Sequence, residues 1–225
     1  MLLIKTFIVL RLMIKDDIAL KIAEYLLQIK AIKLQPQNPF TWASGWKSPI
    51  YCDNRIALSY PKIRTYVRQQ LVKSIEEKYG RPDAIVAVAT GAIAQGALVA
   101  EAMGLPFVYV RPTPKEHGMG NQIEGELKGG QSVIIIEDLI STGKSSLQVV
   151  EVLRKMDCEV KGMIAIFTYG FKTASDSFKK AKCPLVTLCN YDALLQQAVE
   201  TNYVTEKDML TLKAWREDPE NWGKN

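Results

Sequence analysis

Histidine and cysteine are scarce in this sequence, and their scarcity excludes two kinds of site. His117 is the only histidine among the 225 residues, which excludes a metal centre built from several histidines. The cysteines are Cys52, Cys158, Cys183 and Cys189, and none of them forms a C-x-x-C pair. Free thiols in a reducing compartment are the simplest interpretation, so we expect a cytoplasmic protein without a disulfide framework.

Basic residues exceed acidic residues only slightly. The chain has 29 Lys and Arg against 24 Asp and Glu, a formal net charge of +5, and a sequence pI of about 8.9. Such a balance favours anionic partners in general, including phosphorylated metabolites. The positive charges are spread along the chain, and the sequence contains no DNA-reading motif. We therefore expect small-molecule substrates and no nucleic-acid partner.

Long apolar runs are also missing. The most apolar stretch, MLLIKTFIVLRLM at the N-terminus, is interrupted by Lys5 and Arg11. It is too short to span a bilayer, and no small-residue cleavage site follows it. The sequence thus predicts no membrane partner. Residues 1–14 are interpreted as an N-terminal extension, with Met13 an equally plausible start.

The remaining sequence alternates short apolar runs with helical patterns. Hydrophobic residues make up 48% of the chain and charged residues 24%, which is typical of a globular protein with a sizeable core. Apolar runs separated by helices predict an α/β fold, with a mostly parallel central sheet flanked by helices on both faces. The predicted strands are Ala84–Ala89, Pro106–Val110, Val133–Ile136, Val160–Phe167 and Leu185–Leu188.

Two helices are predicted before the first strand of this sheet. Apolar residues recur at helical spacing from Lys15 to Ile29. A second helix is expected to have Ser59 as its N-cap, Pro61 in its first turn and Gly80 past its end. We interpret residues 15–60 as a small N-terminal lobe and residues 61–225 as the core with C-terminal helices.

The stretch VIIIEDLISTGKSS at Val133–Ser146 combines an acidic pair with a small-residue loop. Its end resembles a triphosphate P-loop, but that pattern requires glycine five residues before Gly143, where this chain has Asp138. A carboxylate there would repel the phosphates, so a P-loop is excluded. A phosphate site is still expected, because the first amides of a helix beginning near Ser145 lack internal partners and carry a positive dipole end.

The acidic pair Glu137–Asp138 is suited to a sugar. The pair is predicted to lie just past the end of a strand, on the side of the sheet where α/β folds bind ligands. Carboxylates accept hydrogen bonds from vicinal hydroxyls such as those of ribose. The pattern therefore favours a phosphorylated sugar as ligand, although a capped strand-to-helix turn with a solvated acidic pair fits the same letters.

Three stretches in this order resemble a known family. VIIIEDLISTGKSS resembles the phosphoribosyl-diphosphate motif of type I phosphoribosyltransferases. FTWASGWKSPIYCDNR at Phe40–Arg55 and YVRPTPKEHGMGNQIEG at Tyr109–Gly125 are similar to the N-terminal lobe and the mobile catalytic loop of orotate phosphoribosyltransferases. The resemblance covers most of the chain after about Lys15. It implies the type I phosphoribosyltransferase fold with a hood lobe, and an enzyme that makes orotidine 5′-phosphate and pyrophosphate from orotate and phosphoribosyl diphosphate in pyrimidine synthesis.

The resemblance also implies roles for particular residues. Lys115 and His117 would be catalytic residues on a mobile loop at 111–130, shared across the subunits of a homodimer. Ser141 would also contact orotate, and Thr90 and Gly91 would contact the diphosphate. Mg²⁺ would act as cofactor without direct protein side-chain ligands. The residues expected to bind phosphoribosyl diphosphate are Arg111, Lys115, His117, Glu137, Asp138, Leu139, Ile140, Ser141, Thr142, Gly143, Lys144 and Ser145.

The chain departs from some relatives at positions that carry cations in them. Pro112 and Gln95 stand where some relatives have lysine. After the strand predicted at Val160–Phe167, where some relatives have an arginine near orotate, the nearest cation here is Lys172. Arg55 of the N-terminal lobe is an alternative partner for the orotate carboxylate.

Two other functions fit parts of the pattern. One is a phosphoribosyltransferase for another base, which the N-terminal stretch argues against. The other is a phosphoribosyl-diphosphate-sensing regulator, which the net positive charge allows. The cations Lys115 and His117 favour an enzyme, because a sensor need not stabilise a leaving group.

Overall fold

The computed structural model describes residues 17–42, 44–113 and 122–223. The chain divides into two compact units, Met1–Ile56 with Cys189–Asn225, and Ala57–Leu188. The division predicted from the sequence, into a lobe at 15–60 and a core at 61–225, stays a prediction. In the structure, the C-terminal segment from Cys189 groups with the N-terminal segment and not with the unit at Ala57–Leu188.

In its described residues, the first unit holds short strands and three α-helices. Helix α1 spans residues 17–28. Strand β1 pairs antiparallel with β4, and β2 with β3. The strands are β1 (Ile32–Leu34), β2 (Phe40–Thr41), β3 (Lys47–Ser48) and β4 (Ile50–Cys52). The C-terminal helices, numbered in chain order after those of the second unit, are α6 (Tyr191–Glu200) and α7 (Glu206–Glu217).

The second unit contains the sheet and the helices that cover it. Its elements are α2 (Pro61–Tyr79), β5 (Ala84–Val88), α3 (Ile93–Met103), β6 (Phe107–Val110), β7 (Ile123–Glu124), β8 (Ser132–Ile140), α4 (Lys144–Lys155), β9 (Glu159–Thr168), α5 (Lys172–Lys180) and β10 (Leu185–Asn190). The strand order is β10-β9-β8-β5-β6-β7. Strand β5 pairs parallel with β6 and β8, β8 pairs parallel with β9, and β7 adds an antiparallel edge. The predicted mostly parallel sheet is confirmed.

Both faces of this sheet are covered, as its apolar strands require. Alternate residues of β8, Val133 and Ile135, pack in one apolar cluster with Val149 and Leu153 of α4. Helices α2 and α3 pack on each other, and α3 packs on β5. Right-handed crossovers from β5 to β6 and from β8 to β9 run in opposite directions along the sheet, which places α3 and α4 on opposite faces.

The start of α2 differs from the sequence-based expectation. Ser59 ends a 3₁₀ helix at Asn54–Ser59, and the N-cap of α2 is Tyr60, which makes no side-chain cap bond. The prediction of Ser59 as N-cap was therefore wrong by one residue. Pro61 begins the helix because its fixed φ suits the first helical position, and Gly80 follows its end with φ 72°.

Two further boundaries also differ. Strand β8 was predicted to end at Ile136, but it continues to Ile140, because β9 keeps pairing with it as far as Thr168. The acidic pair therefore lies inside the strand. Within the predicted loop at 111–130, Ile123–Glu124 form β7 and Leu127 is buried in the core.

Candidate active site

The candidate site lies where the strand order reverses, between β5 and β8. Pairing of β5 with β8 stops at Ile136, and the chain after Val88 turns aside, with the Ala89 amide donating to the Val110 carbonyl at 2.9 Å. Strand β8 continues beyond this point next to β9. Such a switch point opens a crevice at the carboxyl ends of the strands, the position where open α/β sheets bind ligands.

Gly91 and Asp138 meet in this crevice. A Cβ atom built on Gly91 would collide with the whole carboxylate of Asp138, at 2.5 Å from Cγ and 2.6 Å from Oδ1. The turn after β5 can therefore approach the acidic pair only because residue 91 has no side chain. The predicted diphosphate turn and the predicted sugar-binding acids are brought together here, with Thr90 exposed beside Gly91.

The two acids of the pair have different neighbours, although their carboxyl groups also share a side-chain hydrogen bond. Asp138 is half-buried and lies against Gly91, before α3. Glu137 lies on the α4 face and is only 4% exposed. Its Oε2 accepts a hydrogen bond from Ser146 Oγ at 2.7 Å, and its Oε1 accepts one from the Asp138 amide at 3.0 Å.

The environment of Glu137 favours the neutral carboxyl group. Burial raises its pKa well above the usual range, and the charge and side chain of Asp138 raise it further. The hydrogen bonds from Ser146 and from the Asp138 amide lower the pKa, but they are the smaller effects. Desolvation of a charged carboxylate dominates at such a position.

Helix α4 begins at the same edge with its first amides uncapped. Its N-cap is Gly143 with φ 78°, and no side chain caps it. The same holds for Ala92, the N-cap of α3. Ser141 and Thr142 are half-buried, whereas Lys144 and Ser145 are exposed. The first amide of α3, Ile93, donates to the Thr90 carbonyl at 3.4 Å. Because both helices present their positive dipole ends here, the crevice can hold phosphate groups.

Two features of the backbone at position 143 require glycine. Its φ of +78° is unfavourable for other residues, and a Cβ there would lie 2.7 Å from Phe178 Cε2 of α5. The loop is braced on its other side, since the Ile140 carbonyl accepts bonds from Thr168 Oγ1 and the Tyr169 amide, both at 3.2 Å. Ile140 itself is fully buried, and Leu139 is half-buried.

The described part of the loop predicted to be catalytic, at 111–130, is held to the sheet edge. The Arg111 amide donates to the Gln122 carbonyl at 2.8 Å, and Arg111 Nε lies 3.6 Å from Glu124 Oε1. Gln122 Nε2 donates in turn to the carbonyls of Arg111 and Pro112. Lys115 and His117 lie outside the described residues, so their predicted roles stay predictions.

The structure describes the surroundings of three residues that the sequence comparison with relatives singled out: Arg55, Lys172 and Gln95. Arg55 forms a bidentate pair with Asp53, at 2.7 and 2.9 Å; the hydrogen bond from Arg55 lowers the pKa of Asp53. Lys172 is exposed at the start of α5. Gln95 is 2% exposed on the first turn of α3, and its amide has no hydrogen-bond partner in the described structure. Their contact with orotate or diphosphate stays a prediction.

Sequence reasoning missed Ser146 and Thr168. Both brace the predicted loop, Ser146 through Glu137 and Thr168 through the Ile140 carbonyl. A signal for Ser146 was present, because it occupies the buried stripe of α4 together with Val149, Val150 and Leu153. A serine in an apolar helix face requires a partner. Thr168 carries no comparable signal.

No group of three or more His, Cys, Asp or Glu side chains within 17–42, 44–113 and 122–223 could hold a metal ion. Of the helices in those ranges, none has the length and apolar character needed to cross a membrane.

Fold and site together define an α/β protein with a crevice at the switch point, where an acidic pair, a glycine turn and the starts of two helices meet. A phosphoribosyl transferase domain model matches residues 58–194. The orotate phosphoribosyltransferase of Bacteroides thetaiotaomicron is 62% identical over 200 residues, which cover 89% of this chain and 94% of that protein. That of Porphyromonas gingivalis is 56% identical over 202 residues, covering 90% and 96%.

Solved structures agree on the fold. The crystal structure of orotate phosphoribosyltransferase from Aeropyrum pernix matches with a TM-score of 0.68 at 24% identity, covering 81% of this chain and 99% of that one. The chain belongs to the phosphoribosyltransferase family and, within it, to the orotate phosphoribosyltransferases. The fold and family expected from the sequence are thereby confirmed.

Proposed function

We propose that the protein transfers the 5-phosphoribosyl group from phosphoribosyl diphosphate to orotate, giving orotidine 5′-phosphate and pyrophosphate. The observation that carries this proposal is the 62% identity, over 89% of the chain, to a relative named orotate phosphoribosyltransferase. The close approach of Gly91 to Asp138 and the uncapped start of α4 support it, because a carboxylate suited to hydroxyl groups and a helix start suited to phosphate lie in one crevice.

In this function, Asp138 and Glu137 accept hydrogen bonds from the ribose hydroxyls. The loop from Ser141 to Ser145 and the first amides of α4 hold the 5′-phosphate, and Ser141 also contacts orotate. The Thr90–Gly91 turn, at the uncapped start of α3, holds the diphosphate. Leu139 and Ile140 shape the strand that carries these groups.

The reaction is a displacement at the anomeric carbon of the ribose. The bond from this carbon to the diphosphate oxygen breaks, and its electron pair leaves with pyrophosphate. The bond from the carbon to a ring nitrogen of orotate forms, and the N–H bond of that nitrogen breaks, its proton being released with the pyrophosphate. The transition state has oxocarbenium character, as in glycoside chemistry, so the protein acts by alignment, exclusion of water and stabilisation of the leaving group. We assign that stabilisation to Arg111, Lys115 and His117.

The oxygen groups at the crevice are compatible with a Mg²⁺ ion that arrives bound to the diphosphate of the substrate. Mg²⁺ prefers oxygen ligands, keeps several waters and binds through phosphates with few protein groups. The described ranges contain no cluster that would serve as a dedicated cage, and the half-buried Asp138 carboxylate lies at the edge where the diphosphate is expected. When bound, the ion neutralises the charge of the diphosphate, while the residues of the chain hold the sugar.

We also propose a cytoplasmic homodimer in which the loop at 111–130 of one subunit completes the site of the other. The support is family membership together with the position of Arg111, whose backbone is held at the sheet edge by Gln122.

Pyrophosphate release tests the function. Purified protein, phosphoribosyl diphosphate and Mg²⁺ are mixed with orotate, uracil or hypoxanthine. We expect release with orotate alone. Release with uracil or hypoxanthine but not orotate would indicate another phosphoribosyltransferase, and binding without turnover would indicate a sensor.

Lys115→Ala tests the assigned loop role in the same assay. We expect a large loss of turnover with an unchanged unfolding temperature, because surface loops contribute little to the core. Wild-type kinetics in this variant would remove Lys115 from the mechanism.

A further inference from the structure

Glu137 is fixed at both oxygens before any ligand binds. Its Oε1 accepts a bond from the Asp138 amide, within the same strand, and its Oε2 accepts one from Ser146 Oγ, on the first turn of α4. Ser146 is 2% exposed and sits at the third position of the helix that presents its first amides to the crevice. The bond thus joins the acidic pair to the start of the phosphate-binding helix.

We infer that Ser146 is a positioning residue, whose hydroxyl orients the Glu137 carboxylate toward the sugar and fixes its spacing from the start of α4. This inference rests on the proposed function and deepens it. A carboxylate has about four lone-pair positions, so Glu137 retains acceptor capacity for a ribose hydroxyl after accepting these two bonds.

No other described group replaces Ser146 in this role. Residue 137 pairs across the sheet with Ala165 of β9, which has no polar side chain. The Asp138 side chain also bears on Glu137, but its charge and its hydrogen bond raise the pKa of Glu137 and so favour the neutral form, unlike the bond from Ser146. Lys144, the cation on the first turn of α4, is exposed. Ser146 is therefore the side chain that supplies Glu137 with a hydrogen-bond donor.

The chain offers a matched control at the other end of β8. Ser132 Oγ donates to Asp83 Oδ2 at 2.7 Å, the same distance as in the Ser146–Glu137 pair. That pair lies at the amino end of the strand, away from the crevice. Ser132→Ala therefore removes an equivalent hydrogen bond without touching the proposed site.

The test measures the Kd of phosphoribosyl diphosphate with Mg²⁺ by calorimetry, without orotate. We expect Ser146→Ala to weaken binding by about tenfold, since a hydrogen bond to a charged group is worth at least that much. Ser146→Thr, which keeps the hydroxyl, should restore binding. Ser132→Ala should leave the Kd unchanged while lowering the unfolding temperature.

A pH profile separates positioning from a purely structural role. In the proposed role Glu137 accepts from a sugar hydroxyl in its charged form, whereas burial favours the neutral form in the ligand-free protein, so affinity should fall on acidification. Loss of the Ser146 bond disfavours that form and should move the acid limb of the profile to higher pH, whereas Ser132→Ala should not move it. Ser146→Cys, with similar volume and a weaker donor, should show the same shift if the alanine variant fails to fold.

Unchanged affinity and an unchanged acid limb in folded Ser146→Ala or Ser146→Cys would overturn the inference. That result differs from a failure of the proposed function, in which the wild-type protein itself would bind no phosphoribosyl diphosphate.

Discussion

Two carboxyl groups near opposite ends of β8 have pKa values shifted in opposite directions. Burial raises the pKa of Glu137 well above 4.5. At the amino end, hydrogen bonds from the Ser132 amide and hydroxyl lower the pKa of Asp83 below 3.8. By linkage, a raised carboxyl pKa stabilises the fold at low pH, and a lowered one stabilises it at higher pH.

Glu137→Gln tests the first shift. The contribution of Glu137 is fully present below pH 4.5 and is lost as pH rises through its raised pKa, where a buried charge must form. In ligand-free protein, the variant should match the wild type in acid and unfold at a higher temperature above neutral pH. Calorimetric unfolding across this range is the measurement; a variant less stable than wild type at alkaline pH would contradict it.

Asp83→Asn should behave in the opposite way. Asp83 stabilises the fold above pH 3.8 and loses this effect as pH falls through its lowered pKa. The variant should therefore be less stable than wild type at neutral pH and converge with it in acid. Because Asp83 lies away from the crevice, its kinetics should be unchanged.

Gly91 is a residue whose role is steric. Gly91→Ala places a methyl group against the Asp138 carboxylate, which must move away from its position in the crevice. We expect the KM for phosphoribosyl diphosphate to rise at least about tenfold, the scale of an overpacking penalty. Gly162→Ala is the control, since its Cβ would collide with the Tyr79 ring in the amino half of β9, away from the crevice. Equal kinetics in both variants would separate Gly91 from substrate binding.

At the scale of elements, apolar patterning predicted the five parallel-sheet strands but not all their ends. A run such as Val133–Ile136 shows where a strand is buried on both faces. It does not show that β8 continues through Glu137 and Asp138, because that extension depends on pairing with β9. The two-residue strand β7 has no pattern of its own and exists through its register with β6.

The candidate site likewise has one part that could be predicted from the sequence and two contacts that could not. The motif Glu137–Ser145 could be located from the sequence, because strand, acids and small-residue loop are consecutive. The contact between Gly91 and Asp138 joins residues far apart in the chain, so spacing could not predict it. The Ser146 bond depended on which oxygen of Glu137 faces α4, which no sequence pattern specifies.

Packing of α2 on β9 gives a prediction about stability alone. A Cβ on Gly162 would lie 2.6 to 2.8 Å from ring atoms of Tyr79, so Gly162→Ala should destabilise the protein by about 1–3 kcal/mol. Shortening the partner in Gly162→Ala/Tyr79→Leu should recover part of this loss, because contacting residues are not additive. Denaturant unfolding measures both. Additive losses would show that the two side chains do not collide.

At the scale of the whole molecule, the crevice joins parts from both faces of the sheet. Helices α3 and α4 lie on opposite faces, yet both begin uncapped at the switch point. The doubly wound order thus directs two positive helix ends to one crevice. The cations proposed to stabilise the leaving group belong to the loop at 111–130 and not to the two helices.

If the loop of one subunit completes the site of its partner, two inactive variants should restore activity when mixed. Lys115→Ala disables the loop, and Asp138→Asn disables the sugar site. Random subunit exchange makes half of the dimers mixed, and each mixed dimer holds one intact site, so activity should recover to roughly a quarter of wild type. Pyrophosphate release after exchange is the measurement, with each variant alone as control. A dimer that exchanges subunits without recovering activity would mean that each loop serves its own subunit.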